Sequence, residues 1–106
     1  MLAPFLAENR LDDQGRPAGG IVEGTGLIIR WQNGPLGRGA ERQDPNGAFV
    51  ETVIAAAKQR LEHYQSTQFA CEENHEAAGH LAAALAWLQR RTAARELREV
   101  EGTHEL

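Results

Sequence analysis

Four arginines gather near the end of the longest helical pattern in the chain: Arg90, Arg91, Arg95 and Arg98. A guanidinium group carries a planar fork of donors that grips phosphate in paired fashion and stacks on aromatic rings. Two or three of them are enough to hold the diphosphate of a nucleotide. Thr92 and Asn74 add neutral donors on the same helix. Tyr64 and Trp87 offer faces for a base, although an aromatic on a helix face also serves as core. The cluster has a plainer reading too. Glu72, Glu73 and Glu76 open this helix and arginines close it, which is the order that suits the helix dipole. Glu96 can pair with its arginine neighbours. Residue types alone leave both readings standing.

Other chemistry is thinner. His75-Glu76-Ala77-Ala78-Gly79-His80 comes within one residue of a zinc-protease helix. That motif needs histidines four apart, on one face, and these are five apart. His63 and His104 stand alone, and Cys71, the single cysteine, has no partner thiol, so no metal site is expected. Nothing around Cys71 resembles a thiol-nucleophile signature, and no Gly-x-Ser-x-Gly elbow occurs. Gly37-Arg38-Gly39 lacks the spacing and the lysine of a phosphate-binding P-loop. The expectation is a non-enzyme without a cofactor.

The elements that must position these residues run from 48 to 100. Val50, Val53, Ile54, Ala57, Leu61 and Tyr64 recur in steps of three and four, one face of a first helix. Gln65-Ser66-Thr67-Gln68 is a polar break short enough to join antiparallel neighbours. Ala78, Leu81, Leu85, Leu88 and Thr92 form the stripe of a second helix, with Asn74 and Arg95 at its two ends. Gly79 weakens that helix unless it marks a close packing contact. Ahead of the hairpin, residues 21–36 form the one convincing β-region. Leu27, Ile29 and Trp31 alternate with Ile28, Arg30 and Gln32, Ile21-Val22 can pair back through a turn, and Asn33-Gly34-Pro35 stops the run. Residues 37–47 are a connecting loop. Asp44 before Pro45, or else Asn46, reads as the cap of the first helix. Residues 1–20 read as a mobile arm with a turn at Asp13-Gln14-Gly15, and residues 101–106 as a tail.

The totals bound the rest. A chain of 106 residues with net charge −4 is one domain, too acidic to neutralise a long phosphate backbone, but a small anion needs only a local cluster. The lone cysteine suits a reducing cytoplasm. The N-terminal stretch has no basic start, and no apolar run approaches a membrane span. Leu, Ile, Val and Phe number 22 of 106, too few for a two-helix hairpin to close its own core. The regular seam therefore predicts burial against a second copy.

Taken as an ordered set, several segments resemble a known family. They are Trp31-Gln32-Asn33-Gly34-Pro35, Pro45-Asn46-Gly47-Ala48-Phe49, Arg60-Leu61-Glu62-His63-Tyr64-Gln65, Phe69-Ala70-Cys71-Glu72-Glu73-Asn74, Trp87-Leu88-Gln89-Arg90-Arg91-Thr92 and Val100-Glu101-Gly102-Thr103-His104. The set looks like the phage helical-hairpin family of anti-Thoeris and anti-CBASS proteins, closer to the anti-Thoeris branch, and runs from about Gly20 to the C-terminus. The resemblance implies a sponge that binds a cyclic nucleotide-derived immune signal and withholds it, uncleaved, from its effector. The implied ligand is a cyclic ADP-ribose isomer or a cyclic oligonucleotide. The family's aromatic, asparagine and arginine fall on Tyr64, Asn74 and Arg91. Tyr64 stands where phenylalanine is common, and Glu99 stands where many members have a glycine that would end the helix cleanly.

The expectation is thus an α+β chain: a short N-terminal β-region followed by a two-helix antiparallel hairpin, within one domain of residues 21–106. Its assembly is a homodimer or a higher homo-oligomer such as a hexamer. The ligand-binding set is Tyr64, Asn74, Arg91, Thr92 and Arg95, and the setting is the cytoplasm of an infected bacterial host, with no nucleic-acid polymer or membrane as partner. The rivals are a structural or protein-interaction module without a nucleotide ligand, and a small enzyme acting on the same signal.

Overall fold

The computed structural model describes all 106 residues. The architecture is α+β: a three-stranded antiparallel sheet of order β1-β2-β3, then two helices. The strands are β1 (Phe5–Leu11), β2 (Pro17–Gly24) and β3 (Leu27–Trp31), and the helices are α1 (Val50–Gln65) and α2 (Glu72–Leu97). The chain divides into two compact units, Met1–Phe49 with Glu99–Leu106, and Val50–Arg98. No helix is long and apolar enough to cross a membrane.

In the first unit the expected arm is a strand. Residues 5–11 pair with β2, Phe5 opposite Gly24 and Glu8 opposite Ile21. The expected turn at Asp13-Gln14-Gly15 is its hinge. Asp12 organises it: its carboxylate accepts from the main-chain N–H groups of Arg16 and Gln14 and from Arg16 Nε, each at 2.9 Å. The Arg16 N–H, ahead of the other donors, holds that carboxyl below its ordinary value. Ile21-Val22 does pair with β3, through the Thr25-Gly26 turn where Gly26 takes φ +70. The strand reaches back to Pro17, beyond the expected boundary. On one sheet face lie Phe5 and Ala7, then Val22, then Leu27, Ile29 and Trp31, an apolar strip across all three strands.

The segment after β3 turns back along it. Ala48 donates to the Arg30 carbonyl at 2.7 Å and accepts from Gln32 at 2.9 Å. Asn46 grips Asn33 at both ends, its Oδ1 accepting from the Asn33 N–H and its Nδ2 donating to the Asn33 carbonyl, at 2.8 and 3.0 Å. Neither Asp44 nor Asn46 caps α1, which starts at Val50. Asn46 is used by the main chain of residue 33 instead. A side chain at Gly47 would meet the Trp31 carbonyl at 2.6 Å, so the approach requires glycine. The loop beyond Pro35 lines an open hollow of about 490 Å³. Arg42 in that lining is turned to Glu101 at 2.7 Å, and Gly37 donates to the Gly102 carbonyl at 2.8 Å. The tail is thereby a clasp on the loop.

In the second unit two helices pack as a hairpin. The connection is Ser66 to Cys71, longer than the four-residue break expected, because the Thr67 hydroxyl accepts from Phe69 N–H and holds the chain in a turn. The half-buried positions of α2 are Asn74, Ala78, Leu81, Ala84, Leu85, Leu88, Thr92 and Arg95, the expected stripe with Ala84 added. On α1 the match is looser. The half-buried row is Glu51, Ile54, Lys58, Leu61 and Gln65, with Val53 beside it, while Val50, Ala57 and Tyr64 are exposed. Lys58 enters the row by laying its stem along the helix and pairing with Glu62 at 2.7 Å. Gly79 has open space around it and marks no packing contact within the chain. No apolar side chain anywhere in the chain is fully buried.

Candidate functional site

Tyr64 sits in the last turn of α1, where the turn fixes its main chain. Its carbonyl accepts from the Thr67 N–H at 3.0 Å and from the Thr67 hydroxyl at 2.6 Å. The ring is 37% exposed. The Arg60 guanidinium lies 4.9 Å over the ring and its Nε donates to the phenol oxygen at 3.3 Å. One face of the ring is thus occupied by a cation.

Gln65 closes the same turn. Its Oε1 accepts from the Cys71 N–H and its Nε2 donates to the Cys71 carbonyl, both at 3.0 Å. This two-pronged grip holds the first turn of α2 against the end of α1. Asn74 lies in that first turn, half-buried, and its side-chain amide makes no hydrogen bond within the chain. Tyr64 and Asn74 therefore flank one clasped turn. By residue type Gln65 belongs to the polar break Gln65-Ser66-Thr67-Gln68. The signal available was a long amide at a helix end, but its partner is main chain, which no residue pattern records.

Arg91, Thr92 and Arg95 sit elsewhere. Asn74 and Arg91 are seventeen residues apart on one helix, about 25 Å at 1.5 Å per residue. α2 has 26 residues against 16 in α1, so its last ten or so, about 15 Å of helix, run past the start of α1. Arg91 is exposed and has no hydrogen bond or ion pair within the chain. Thr92 is half-buried, and its hydroxyl donates to the Leu88 carbonyl at 3.3 Å. Arg95 is half-buried in the last turn. Arg90 lies over the Trp87 ring at 4.5 Å, and that indole is 66% exposed. α2 ends at Leu97, and Glu99 adopts φ +59, the left-handed conformation that glycine favours at this position. The structure thus answers how a helix without a terminal glycine stops: Glu99 takes the glycine conformation.

The two ends share a side of the hairpin. On α2, His80, Ala84, Trp87 and Arg91 form a strip one step round from the half-buried stripe. On α1, Val50, Val53, Ala57 and Tyr64 form the matching strip. The offset has the same sense on both helices, which in an antiparallel pair brings both strips to one side. That side carries exposed apolar surface between an aromatic at the turn end and a guanidinium at the other. No three His, Cys, Asp or Glu side chains converge in the chain.

Known proteins share the hairpin that carries these residues. Residues 23–93 match the family model described as Acb2/Tad1, hairpin domain. The match covers β3, the loop, α1 and most of α2, and leaves out β1 and Arg95. Thoeris anti-defense 1 of Bacillus phage SBSphiJ7 is 43% identical over 77 residues, which is 73% of this chain and 51% of that protein. The chain spans about half the length of that curated relative. A hairpin with these segments in this order, matched over about two thirds of its length, places the chain in the Acb2/Tad1 hairpin-domain family.

Proposed function

We propose that this chain is an anti-defence sponge. It binds a cyclic nucleotide-derived immune signal in the cytoplasm of an infected bacterium and holds it without cleaving it. The observation that carries this reading is the placement of Tyr64 and Arg91 on one exposed side of the hairpin, with Asn74 and Arg91 some 25 Å apart along α2, in a chain with no fully buried apolar side chain. A cyclic ADP-ribose isomer or cyclic dinucleotide is on the order of 10 Å across, far shorter than that span, so one hairpin cannot place both ends on one ligand.

A second copy docked antiparallel on the exposed side removes the difficulty. It covers Val50, Ala57 and Trp87, and it brings the Tyr64–Asn74 end of one chain to the Arg91–Thr92–Arg95 end of the other. The two-fold axis then makes two equal pockets. In each, Tyr64 stacks on a base, Asn74 supplies a directional amide, and Arg91 with Arg95 faces the phosphates. The Thoeris anti-defense name of the phage relative supports the anti-defence part of this reading.

The test is uptake from a panel of cyclic nucleotides, followed by heat release and chromatography. Intact recovered ligand supports a sponge. Altered ligand means an enzyme, and no uptake from any member of the panel favours a structural module.

A further inference from the structure

The two edges of the sheet are finished differently. The outer edge of β3 is covered where Ala48 donates to the Arg30 carbonyl and accepts from the Gln32 N–H. The outer edge of β1 has no such cover. Main-chain direction alternates along an antiparallel strand, so the outward pair Arg30 and Gln32 fixes the rest. Leu27, Ile29 and Trp31 turn their N–H and C=O groups to β2, where they face Gly24, Val22 and Gly20. Ile21 and Glu23 then turn to β1, where they face Glu8 and Leu6. The Glu8 carbonyl indeed points at β2, beside Gly20. Phe5, Ala7 and Asn9 are left with main-chain donors and acceptors aimed outward.

An open edge of this kind is normally blunted by lysine, proline, an inward charge or a bulge. Between Phe5 and Asn9 there is no lysine, proline or bulge, and the one charge, Glu8, is paired with Arg10 at 3.3 Å; the bulge lies past Asn9, toward Leu11. Phe5 and Leu6 are instead exposed apolar residues.

We infer that the free edge of β1 is an interaction surface for β1 of a second copy, joined antiparallel about a two-fold axis at Ala7. In this register the smallest side chain of the segment sits on the axis. Ala7 faces Ala7 of the other copy and Phe5 faces Asn9, and each facing pair exchanges N–H···O bonds in both directions. Leu6 faces Glu8, so no like charges meet directly. Shifting the axis to Glu8 would set the two carboxylates opposite each other, and shifting it to Asn9 would run the pairing into the bulge. The joint continues the sheet into a six-stranded one.

Proline substitution reads the register directly. Ala7→Pro removes an outward N–H and leaves every bond to β2 in place, which an edge strand tolerates. The parent and Ala7→Pro chains are compared by sedimentation velocity, circular dichroism and amide hydrogen exchange. The expected result is an unchanged spectrum with the assembly mass halved. In the parent, the Phe5, Ala7 and Asn9 amides exchange as slowly as those of Leu6 and Glu8, and the first three lose protection on dilution. An Ala7→Pro chain with the parent's mass overturns the inference. If that variant does not fold, exchange in the parent still decides. Fast exchange at Phe5, Ala7 and Asn9 at all concentrations, beside slow exchange at Leu6 and Glu8, rejects the pairing.

Discussion

At the turn end of the hairpin, Gln65 grips both main-chain groups of Cys71 and Thr67 holds the Tyr64 carbonyl twice. At the far end, α2 outruns α1 and leaves through Glu99 in a left-handed conformation. The turn end is locked by side chains bonded to main chain. At the far end, Arg91 is exposed and makes no hydrogen bond or ion pair within the chain. The difference teaches where each half of the proposed shared pocket would get its precision. The aromatic and the amide are held by the fold of their own chain, and the guanidinium is held by the helix it rides on and by whatever it binds.

Loss of the far end's chemistry is expected to cost most. Arg91→Ala removes a charge-assisted contact and should weaken ligand binding by about 2–5 kcal/mol where the contact is desolvated, with melting temperature little changed because Arg91 has no partner within the chain. Calorimetric titration and thermal unfolding measure the two quantities side by side. A similar loss from Arg90→Ala would weaken the case for Arg91, since Arg90 is engaged with Trp87.

Breaking the lock at the turn end is expected to act on stability and binding together. Gln65→Ala leaves the Cys71 main chain to water and should cost about 1–2 kcal/mol of stability. Chemical denaturation measures that loss, and uptake should fall with it because Tyr64 and Asn74 lose their common frame. Unchanged uptake would show that the turn is rigid without the grip.

Two glycine exchanges sharpen the comparison from the other direction. Glu99→Gly relieves the left-handed strain at the far end and should raise stability by about 1 kcal/mol. Gly79→Ala should stabilise α2 by a similar amount, about 0.8–1 kcal/mol, because nothing stands where the new methyl group would go. Gly79 lies away from the Tyr64–Arg91 side, so ligand uptake by Gly79→Ala should match the parent. Loss of uptake would mean that the opposite side of the hairpin is covered in the assembly.

Much of the hairpin was legible because α2 has a single consistent stripe, and Asn74, Thr92 and Arg95 fall on it as the 3.6-residue period requires. α1 was less so. Its apolar residues are rotated away from the seam, and Lys58, a charged residue by pattern, occupies a seam position through its aliphatic stem. β1 was hidden for a related reason. All seven of its residues are exposed, so no burial imposed an alternating pattern on Phe-Leu-Ala-Glu-Asn-Arg-Leu, and only pairing with β2 makes it a strand. Asp44-Pro45 mimicked a helix start, while Asn46 was committed to Asn33 across thirteen residues of sequence. The candidate site residues were visible only as types. Their separation into two ends followed from helix rise, and the grip of Gln65 on main chain did not follow from any pattern.

The account stands on one pocket drawn from two chains, and subunit mixing tests it most directly. Asn74→Ala and Arg91→Ala chains, each defective alone, are refolded together and the mixed dimer is isolated. One of its pockets carries both defects and the other carries neither. The account predicts that the mixed dimer binds one ligand at the parent's affinity, half the parent's stoichiometry. A proven mixed dimer that binds no better than either variant alone would contradict it.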